Sequence, residues 1–293
     1  MALPLSAMDL WFYTSVGTYD FDVRCEMLAE LGYDGIYPTL WSDEAWEVVP
    51  QLGAVRERFG LEVTGVFAYL EGPEDDVGRE RIERLLAELE GCRRLELAIL
   101  SPGRELPPSD PGGDEAVLGV LEQLLDLATR RSLTISLYPH QSWWLQTSSD
   151  ALRLAERLRH PTLRAVFSGY HWYAADGAEL GARIEAVAPL LDSVNLSGAR
   201  RSESPPTVEE LGQGELDNFA LLGELRRVGY EGPVHLFGYG VGGDVYQGLG
   251  RSLASFREME RRLDAHPDWT ATREVFPYLP AVMELDQQRE ENG

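Results

Sequence analysis

Apolar runs of strand length alternate with segments of helical period eight times along this 293-residue chain. Such alternation is typical of right-handed βαβ units, and eight units in about 250 residues predict a closed (β/α)8 barrel of the α/β class. The predicted strands are residues 10–16, 35–40, 61–70, 95–100, 133–140, 163–170, 193–199 and 233–239. The predicted helices are residues 20–31, 43–59, 79–90, 115–130, 149–158, 180–190, 216–228 and 248–263.

The repeats indicate one domain. Residues 1–263 are assigned to a (β/α)8 TIM barrel, and residues 264–293 to a C-terminal extension that packs on the barrel and frays at its end. An open doubly wound sheet is the alternative. Because the first predicted strand leads into Ser15-Val-Gly17 and then Thr-Tyr-Asp, no dinucleotide-type glycine fingerprint supports that alternative.

The charge of the chain restricts its partners and its chemistry. It has 49 acidic and 26 basic residues, a net charge of −23, and every basic residue is arginine. Such a charge repels nucleic-acid phosphates and anionic membranes, so neither is an expected partner. Without lysine the chain has no Schiff-base lysine and no P-loop lysine, which excludes the lysine-dependent aldolases.

The chain is expected to be cytoplasmic. No apolar run reaches the roughly 18 residues of a membrane span, and the N-terminus lacks the basic start of a secretory signal. Cys25 and Cys92 are interpreted as buried thiols in a reducing compartment. The oligomeric state is left open, with a homo-oligomer as one option.

Chemistry in such a barrel is carried at the C-terminal ends of the strands, where side chains of alternate residues face inward. In the fifth predicted strand the inward set is Thr134, Ser136, Tyr138 and His140. The sixth strand contributes Ser168, followed by His171. The last two strands contribute Ser193, Asn195 and Ser197, then His235, Phe237 and Tyr239.

Several strings give the chain a resemblance to the xylose isomerase-like barrel superfamily over residues 10–263. They are Glu30-Leu-Gly-Tyr-Asp-Gly-Ile36, Tyr138-Pro-His140, Ser168-Gly-Tyr-His171, Leu211-Gly-Gln-Gly-Glu215, Gly229-Tyr-Glu-Gly-Pro-Val234 and Gly238-Tyr-Gly-Val-Gly-Gly-Asp244. The superfamily includes sugar isomerases, sugar epimerases, inosose dehydratases and endonuclease IV. More narrowly, the chain is similar to a sugar phosphate isomerase/epimerase-like branch.

The resemblance implies a divalent-metal site, and this chain departs from it. Typical members use a carboxylate ending strand five, an Asp three residues before a His after strand six, a His in strand seven and a Glu in strand eight. The corresponding residues are Tyr138, Ser168 with the matching His171, Asn195, and Phe237. Because hard cations need carboxylate oxygens, no metal or other cofactor is expected. The alternative is a displaced Mn, Zn or Co site that uses His140 and His171.

The remaining polar and aromatic groups at the strand ends fit a carbohydrate. His140 and His171 are the predicted acid and base, since no other obvious group there exchanges protons near neutral pH. The predicted substrate-binding residues are Tyr138, Trp143, Ser168, Trp172, Asn195, Phe237, Tyr239 and Asp244. Asp244 ends the glycine-rich loop 238–244, which is interpreted first as a turn that caps the next helix and second as a phosphate cradle.

Two functions follow from these residues. The first is a sugar or keto-sugar isomerase/epimerase, or a sugar lyase/dehydratase, that transfers a proton next to a carbonyl without the usual metal. In it, Asn195 and Ser168 hold substrate oxygens. The second is a degenerate barrel that binds carbohydrate or supports a partner subunit without turnover. Endonuclease chemistry is disfavoured because the chain lacks a multi-metal cluster and a basic groove.

Overall fold

The computed structural model describes residues 3–101, 106–175, 177–201 and 205–270. Nine parallel strands form one sheet, and the two short strands β3 and β4 are halves of one barrel position. The nine strands of this sheet are β1 (Leu5–Met8), β2 (Gly35–Tyr37), β3 (Glu62–Val63), β4 (Val66–Leu70), β5 (Arg94–Ile99), β6 (Thr134–Leu137), β7 (Leu163–Ser168), β8 (Leu191–Leu196) and β11 (Val234–Leu236). Two further strands, β9 (Gly198–Arg200) and β10 (Thr207–Glu209), form a separate antiparallel pair between β8 and β11.

The sheet order is β3-β2-β1-β11-β8-β7-β6-β5-β4, and a bridge between Thr39 and Phe67 joins the end of β2 to β4. The sheet therefore curls into a nearly closed barrel, which confirms the predicted class. Surrounding helices are α1 (Leu10–Tyr13), α2 (Phe21–Leu31), α3 (Asp43–Trp46), α4 (Val55–Phe59), α5 (Asp76–Glu88), α6 (Asp114–Arg130), α7 (Ser148–Leu158), α8 (Gly169–Ala175), α9 (Leu180–Val187), α10 (Asn218–Arg227) and α11 (Val245–Ala265). Within the described ranges, no helix has the length and apolarity to cross a membrane.

The first strand was placed wrongly at residues 10–16. The strand is Leu5–Met8, and Leu10–Tyr13 is a short helix that turns over the end of the barrel. All four residues of β1 are buried, so the strand has no polar alternation that would mark its limits. Trp11 holds the turn, since its Nε1 donates a 3.1 Å hydrogen bond to the carbonyl of Leu236 in β11.

The alternation of β6 and β11 follows the prediction. Ile135 and Leu137 pack in the core between the strands and the helices, whereas Tyr138 lies in a second core inside the barrel. Val234 and Leu236 likewise pack outward, and Phe237 packs inward. The period-two pattern therefore assigns these strand residues to the correct faces.

The C-terminal extension is described only to residue 270. After α11, Pro267–Thr270 forms a 3-10 turn, and Trp269 stacks on His266 with ring centroids 3.8 Å apart. Trp269 is 60% exposed. The rest of the extension that was predicted to pack on the barrel, residues 271–293, lies outside the described residues.

Candidate functional site

A cavity of about 670 Å³ opens at the C-terminal ends of the strands. We call it the mouth cavity. Its described lining includes His140 and His171 and eight aromatic side chains: Tyr13, Trp41, Phe67, Tyr138, Trp143, Tyr170, Phe237 and Tyr239. Another cavity, of about 910 Å³, lies at the opposite end of the barrel near Arg94 and Asp192. Because barrel enzymes carry their chemistry at the C-terminal face, the mouth cavity is the candidate active site.

His140 and His171 form a contacting pair in the mouth cavity. Their ring centroids are 4.0 Å apart, and Trp143 stacks on the other side of His140 at 4.0 Å. His171 also contacts Tyr138 and Phe237 edge-on or tilted, at 5.6 and 5.8 Å. The structure therefore brings the two predicted acid/base residues together, at the end of β6 and the start of α8.

The backbone of Gln141 gives the two histidines opposite tautomers. Its carbonyl lies 2.9 Å from Nδ1 of His140, which must therefore carry a hydrogen and donate it. Its N–H donates to Nδ1 of His171 at 3.3 Å, so the hydrogen of neutral His171 is on Nε2. His140 consequently offers a lone pair at Nε2, whereas His171 offers an N–H. Nε2 of His171 is buried, without a hydrogen-bond partner among the described residues.

Burial keeps both imidazoles neutral near pH 7. It lowers the pKa of His140 to about 4, against the opposing effect of the hydrogen bond to the Gln141 carbonyl. The pKa of His171 lies well below its ordinary value because of burial and, secondly, the nearby charge of His140 when protonated. The pair therefore acts as one neutral acceptor beside one neutral donor.

Tyr138, Ser168 and Asn195 lie together beneath the histidines. The Tyr138 hydroxyl lies near the side chains of Ser168 and Asn195, and burial raises the pKa of Tyr138, so it remains a neutral phenol. Ser168 Oγ accepts a 3.4 Å hydrogen bond from the backbone N–H of His171. Asn195 Oδ1 accepts from His235 Nδ1 at 2.9 Å, while its Nδ2 is buried without a partner in the described structure.

Sequence reasoning missed two buried acids. Glu96 lies inside the barrel, where it accepts hydrogen bonds from Tyr37 at 2.6 Å and from Ser193, and burial raises its pKa to about 7. Asp9 directly follows β1, accepts from the backbone and hydroxyl of Thr39, and has a pKa raised by burial to about 6. A signal was present for Glu96, since it interrupts an apolar strand at an inward-facing position.

Four predicted substrate-binding residues are outside the described lining of the mouth cavity: Ser168 and Asn195 lie beneath it, and Trp172 and Asp244 lie elsewhere. Trp172 is not in the described lining of the mouth cavity, because its Nε1 donates to the Ala178 carbonyl at 3.0 Å and its ring faces Phe167. Asp244 is exposed and is the N-cap of α11, accepting from the N–H of Gln247 at 3.1 Å. The capping interpretation of the glycine-rich loop is thereby confirmed. Phe237, Tyr239 and Trp143 do line the cavity.

A family model described as xylose isomerase-like TIM barrel matches residues 25–259. The chain belongs to the xylose isomerase-like TIM barrel family. No curated protein sequence matches the chain.

Solved structures of this family share its fold with the present barrel at low identity. The 3-keto-D-glucoside 4-epimerase of E. coli is 21% identical, with a TM-score of 0.69 over 88% of this chain and 100% of that one. The D-allulose 3-epimerase of Methylomonas sp., in complex with D-allulose, is 16% identical with a TM-score of 0.68, over 88% and 97%. The probable 3-DHS dehydratase of Bacillus anthracis is 15% identical with a TM-score of 0.68, over 89% and 100%.

The residues of this xylose isomerase-like barrel do not fit the divalent ion that the family resemblance implies. Among the described residues, no group of three or more His, Cys, Asp or Glu side chains is placed to hold a metal ion. Tyr138 remains a neutral phenol and Phe237 has no donor atom, so neither supplies the charge that a hard cation needs. The rings of His140 and His171 contact each other at an interplanar angle of 39°. That these residues bind no metal stays a prediction.

Proposed function

We propose that this barrel is a sugar or keto-sugar isomerase/epimerase that transfers a proton next to a carbonyl without the usual divalent metal. The observation that carries the proposal is the pair of opposite tautomers, His140 with a free lone pair and His171 with a free N–H, in the mouth cavity. A base and a hydrogen-bond donor side by side are what enolisation requires.

His140 is the base in the proposed reaction. Its Nε2 lone pair takes the proton from the carbon next to the carbonyl, and the electrons of that C–H bond form the C=C bond of an enediolate. The carbonyl π electrons move onto oxygen, and His140 becomes an imidazolium. In an isomerisation the proton returns to the former carbonyl carbon, while the hydroxyl proton of the carbon that was deprotonated passes to the enediolate oxygen and the new C=O forms there. In an epimerisation the enediolate first turns its opposite face to His140, and the proton returns to the same carbon.

His171 stabilises the enediolate oxygen as a neutral hydrogen-bond donor. A neutral imidazole polarises a carbonyl without giving up its proton, so His171 need not become an imidazolate. Its unpartnered Nε2–H supplies the donor. This group is buried, and a donor in a water-excluded site stabilises developing charge more strongly than a donor in water.

The family supports this class of reaction. Two of the similar structures are sugar epimerases, of 3-keto-D-glucosides and D-allulose, and the third is a probable dehydratase. Dehydration of a keto-sugar begins with the same proton abstraction, so a lyase is the neighbouring activity on the same residues.

Substitution of each histidine by glutamine tests the proposal. We expect His140→Gln and His171→Gln each to lower turnover by about a hundredfold or more while sugar binding is retained. His266→Gln is the matched control, because His266 is exposed at the end of α11. The assay is a screen of keto-sugars and their glycosides for isomerised, epimerised or dehydrated products.

Two results would contradict the proposal. Turnover that is unaltered in both glutamine variants would remove the histidines from the mechanism. A wild-type protein that binds sugars but converts none of them would favour the non-catalytic barrel. Elemental analysis before and after chelation belongs with the assay, since stoichiometric Mn, Zn or Co would overturn the metal-free part.

A further inference from the structure

The described lining of the mouth cavity contains no charged side chain. Its polar members are the two histidines, four tyrosines, Thr14, Ser42 and Gln141, besides the indole N–H groups of Trp41 and Trp143. Both histidines are neutral, because burial lowers their pKa values. Sites for sugar phosphates and sugar acids commonly present an arginine to the anionic group.

Arginines near the mouth are engaged in other interactions. Arg24 pairs with Asp9 at 3.4 Å behind the wall of the cavity, with its guanidinium 4.3 Å from the Tyr13 ring centroid. Arg200 pairs with Glu209 at 3.0 Å. Arg201 lies over Tyr173 and donates to its backbone carbonyl at 3.1 Å. None of these three is in the described lining.

Among the described residues, an anionic ligand in this cavity would therefore find no counter-charge in the lining. Moving a charged group from water into such a site costs several kcal/mol unless an opposite charge compensates. The net charge of −23 adds long-range repulsion of anions. A neutral ligand has neither cost.

Aromatic surfaces line two sides of the cavity. Trp143 stacks on His140 and contacts Trp41 at 5.7 Å, and across the histidines Phe237 contacts Tyr170 at 5.6 Å. The volume of about 670 Å³ lies within the range of pockets that enclose ligands of drug size, and it exceeds what one pyranose ring fills. Two apolar surfaces and this volume suit a sugar that carries a second apolar or sugar ring.

We propose that the substrate is an uncharged glycoside, a keto-sugar joined to a second ring, and that phosphorylated and acidic sugars are excluded. This inference rests on the proposed function of the same cavity. The sugar ring contacts the histidine pair, and the attached group lies on the remaining aromatic surface.

Binding measurements without turnover test the inference separately from the catalytic proposal. The probes are phenyl β-D-glucoside, D-glucose and D-glucose 6-phosphate, followed by calorimetry and by tryptophan fluorescence. We expect the phenyl glucoside to bind about tenfold or more tighter than glucose, and the phosphate to bind at least about tenfold weaker than glucose. Trp143→Ala is expected to remove the advantage of the phenyl group, and Trp269→Ala, far from the cavity, is the control.

A positive charge introduced at the rim of the cavity provides a second test of the exclusion of anionic sugars. Tyr239 lines the mouth and is 57% exposed, so a long side chain fits there. Tyr239→Arg is expected to raise affinity for glucose 6-phosphate about tenfold, whereas Tyr239→Gln is not. The inference is overturned if the wild-type protein binds the phosphate as tightly as glucose or more tightly, or if none of the neutral probes binds. A keto-glycoside that binds without being converted would contradict only the proposed activity.

Discussion

Two layers of the barrel interior differ in how their polar groups are satisfied. The lower layer, near the N-terminal ends of the strands, consists of Arg94, Thr134, Ser136 and Asp192. The upper layer, beneath and around the mouth cavity, consists of Tyr138, His140, Ser168, His171 and Asn195. The lower layer is closed by an ion pair, whereas His171 and Asn195 in the upper layer have buried atoms without partners in the described structure. The lower layer stabilises the barrel, and the upper layer leaves donors for a ligand.

Asp192 is the centre of the lower layer. Its two oxygens accept from Nε and Nη2 of Arg94 at 2.6 and 2.9 Å, and Ser136 and Thr134 donate to the same carboxylate at 2.7 and 3.3 Å. The register between β7 and β8 shifts at this point, from Ala165 opposite Leu191 to Val166 opposite Ser193. The extra residue is Asp192, which the shift directs inward.

The largest predicted effect on stability comes from breaking this layer. Asp192→Ala leaves Arg94 largely buried without its carboxylate, so we expect the free energy of unfolding to fall by about 3 kcal/mol. Urea denaturation followed by circular dichroism measures it. Glu258→Ala removes an exposed carboxylate that pairs with Arg261, and no measurable change is expected there. Equal effects of the two substitutions would show that the layers do not differ in this way.

Glu96 lies between the two layers, and its raised pKa predicts that the stability of the protein depends on pH. Its folded pKa of about 7 exceeds the ordinary 4.5, so the folded state binds more protons than the unfolded state between these values. Stability from this group is present at low pH and is lost as the pH rises towards 7 and above.

Glu96→Gln removes that dependence. When the pH is raised from 5 to 8, we expect wild type to lose roughly 2–3 kcal/mol more of its unfolding free energy than the variant loses. Parallel denaturation curves at the two pH values provide the measurement. If the variant and wild type lose stability equally over this range, Glu96 is not the titrating group.

For the upper layer we predict an effect of pH on activity that is smaller than the effect of pH on stability described above. Because the pKa of His140 is lowered to about 4, the base stays neutral and kcat/KM is expected to be flat from about pH 6 to 9. Below about pH 4 protonation removes the lone pair, and the rate should fall about tenfold per pH unit. A fall in kcat/KM with its midpoint near pH 6.5 would indicate an exposed base instead. Circular dichroism at each pH shows whether a fall in kcat/KM is caused by unfolding.

The sequence was sufficient for the barrel and for the histidine pair, because both follow from local periodicity. Because alternate residues in β6 and just after it face inward, the pattern places Tyr138 and His140 correctly. The ends of neighbouring strands lie close together, which brings His171 beside them. The interactions of Glu96 and Asp192 join strands far apart in the chain, and the shift at Asp192 depends on the register of β8 against β7. Neither is visible in a local pattern.

Tautomers are likewise beyond sequence reasoning, because they depend on where one backbone carbonyl and one N–H of Gln141 point. Trp172 was predicted to lie in the site, but it is not in the described lining of the mouth cavity. An aromatic residue directly after a strand-end histidine was expected at the mouth, but the helical turn of α8 directs it towards Ala178 instead.

The central claim is that His140 moves the proton, with His171 as hydrogen-bond donor, and that no metal takes part. Its most direct measurement is deuterium incorporation from D₂O into the carbon next to the carbonyl of a keto-glycoside, by chelated and metal-analysed protein. We predict that incorporation persists in chelated wild type and His266→Gln, and falls to background in His140→Gln. Incorporation that stops on chelation and returns with added manganese, or that survives in His140→Gln, would contradict the claim.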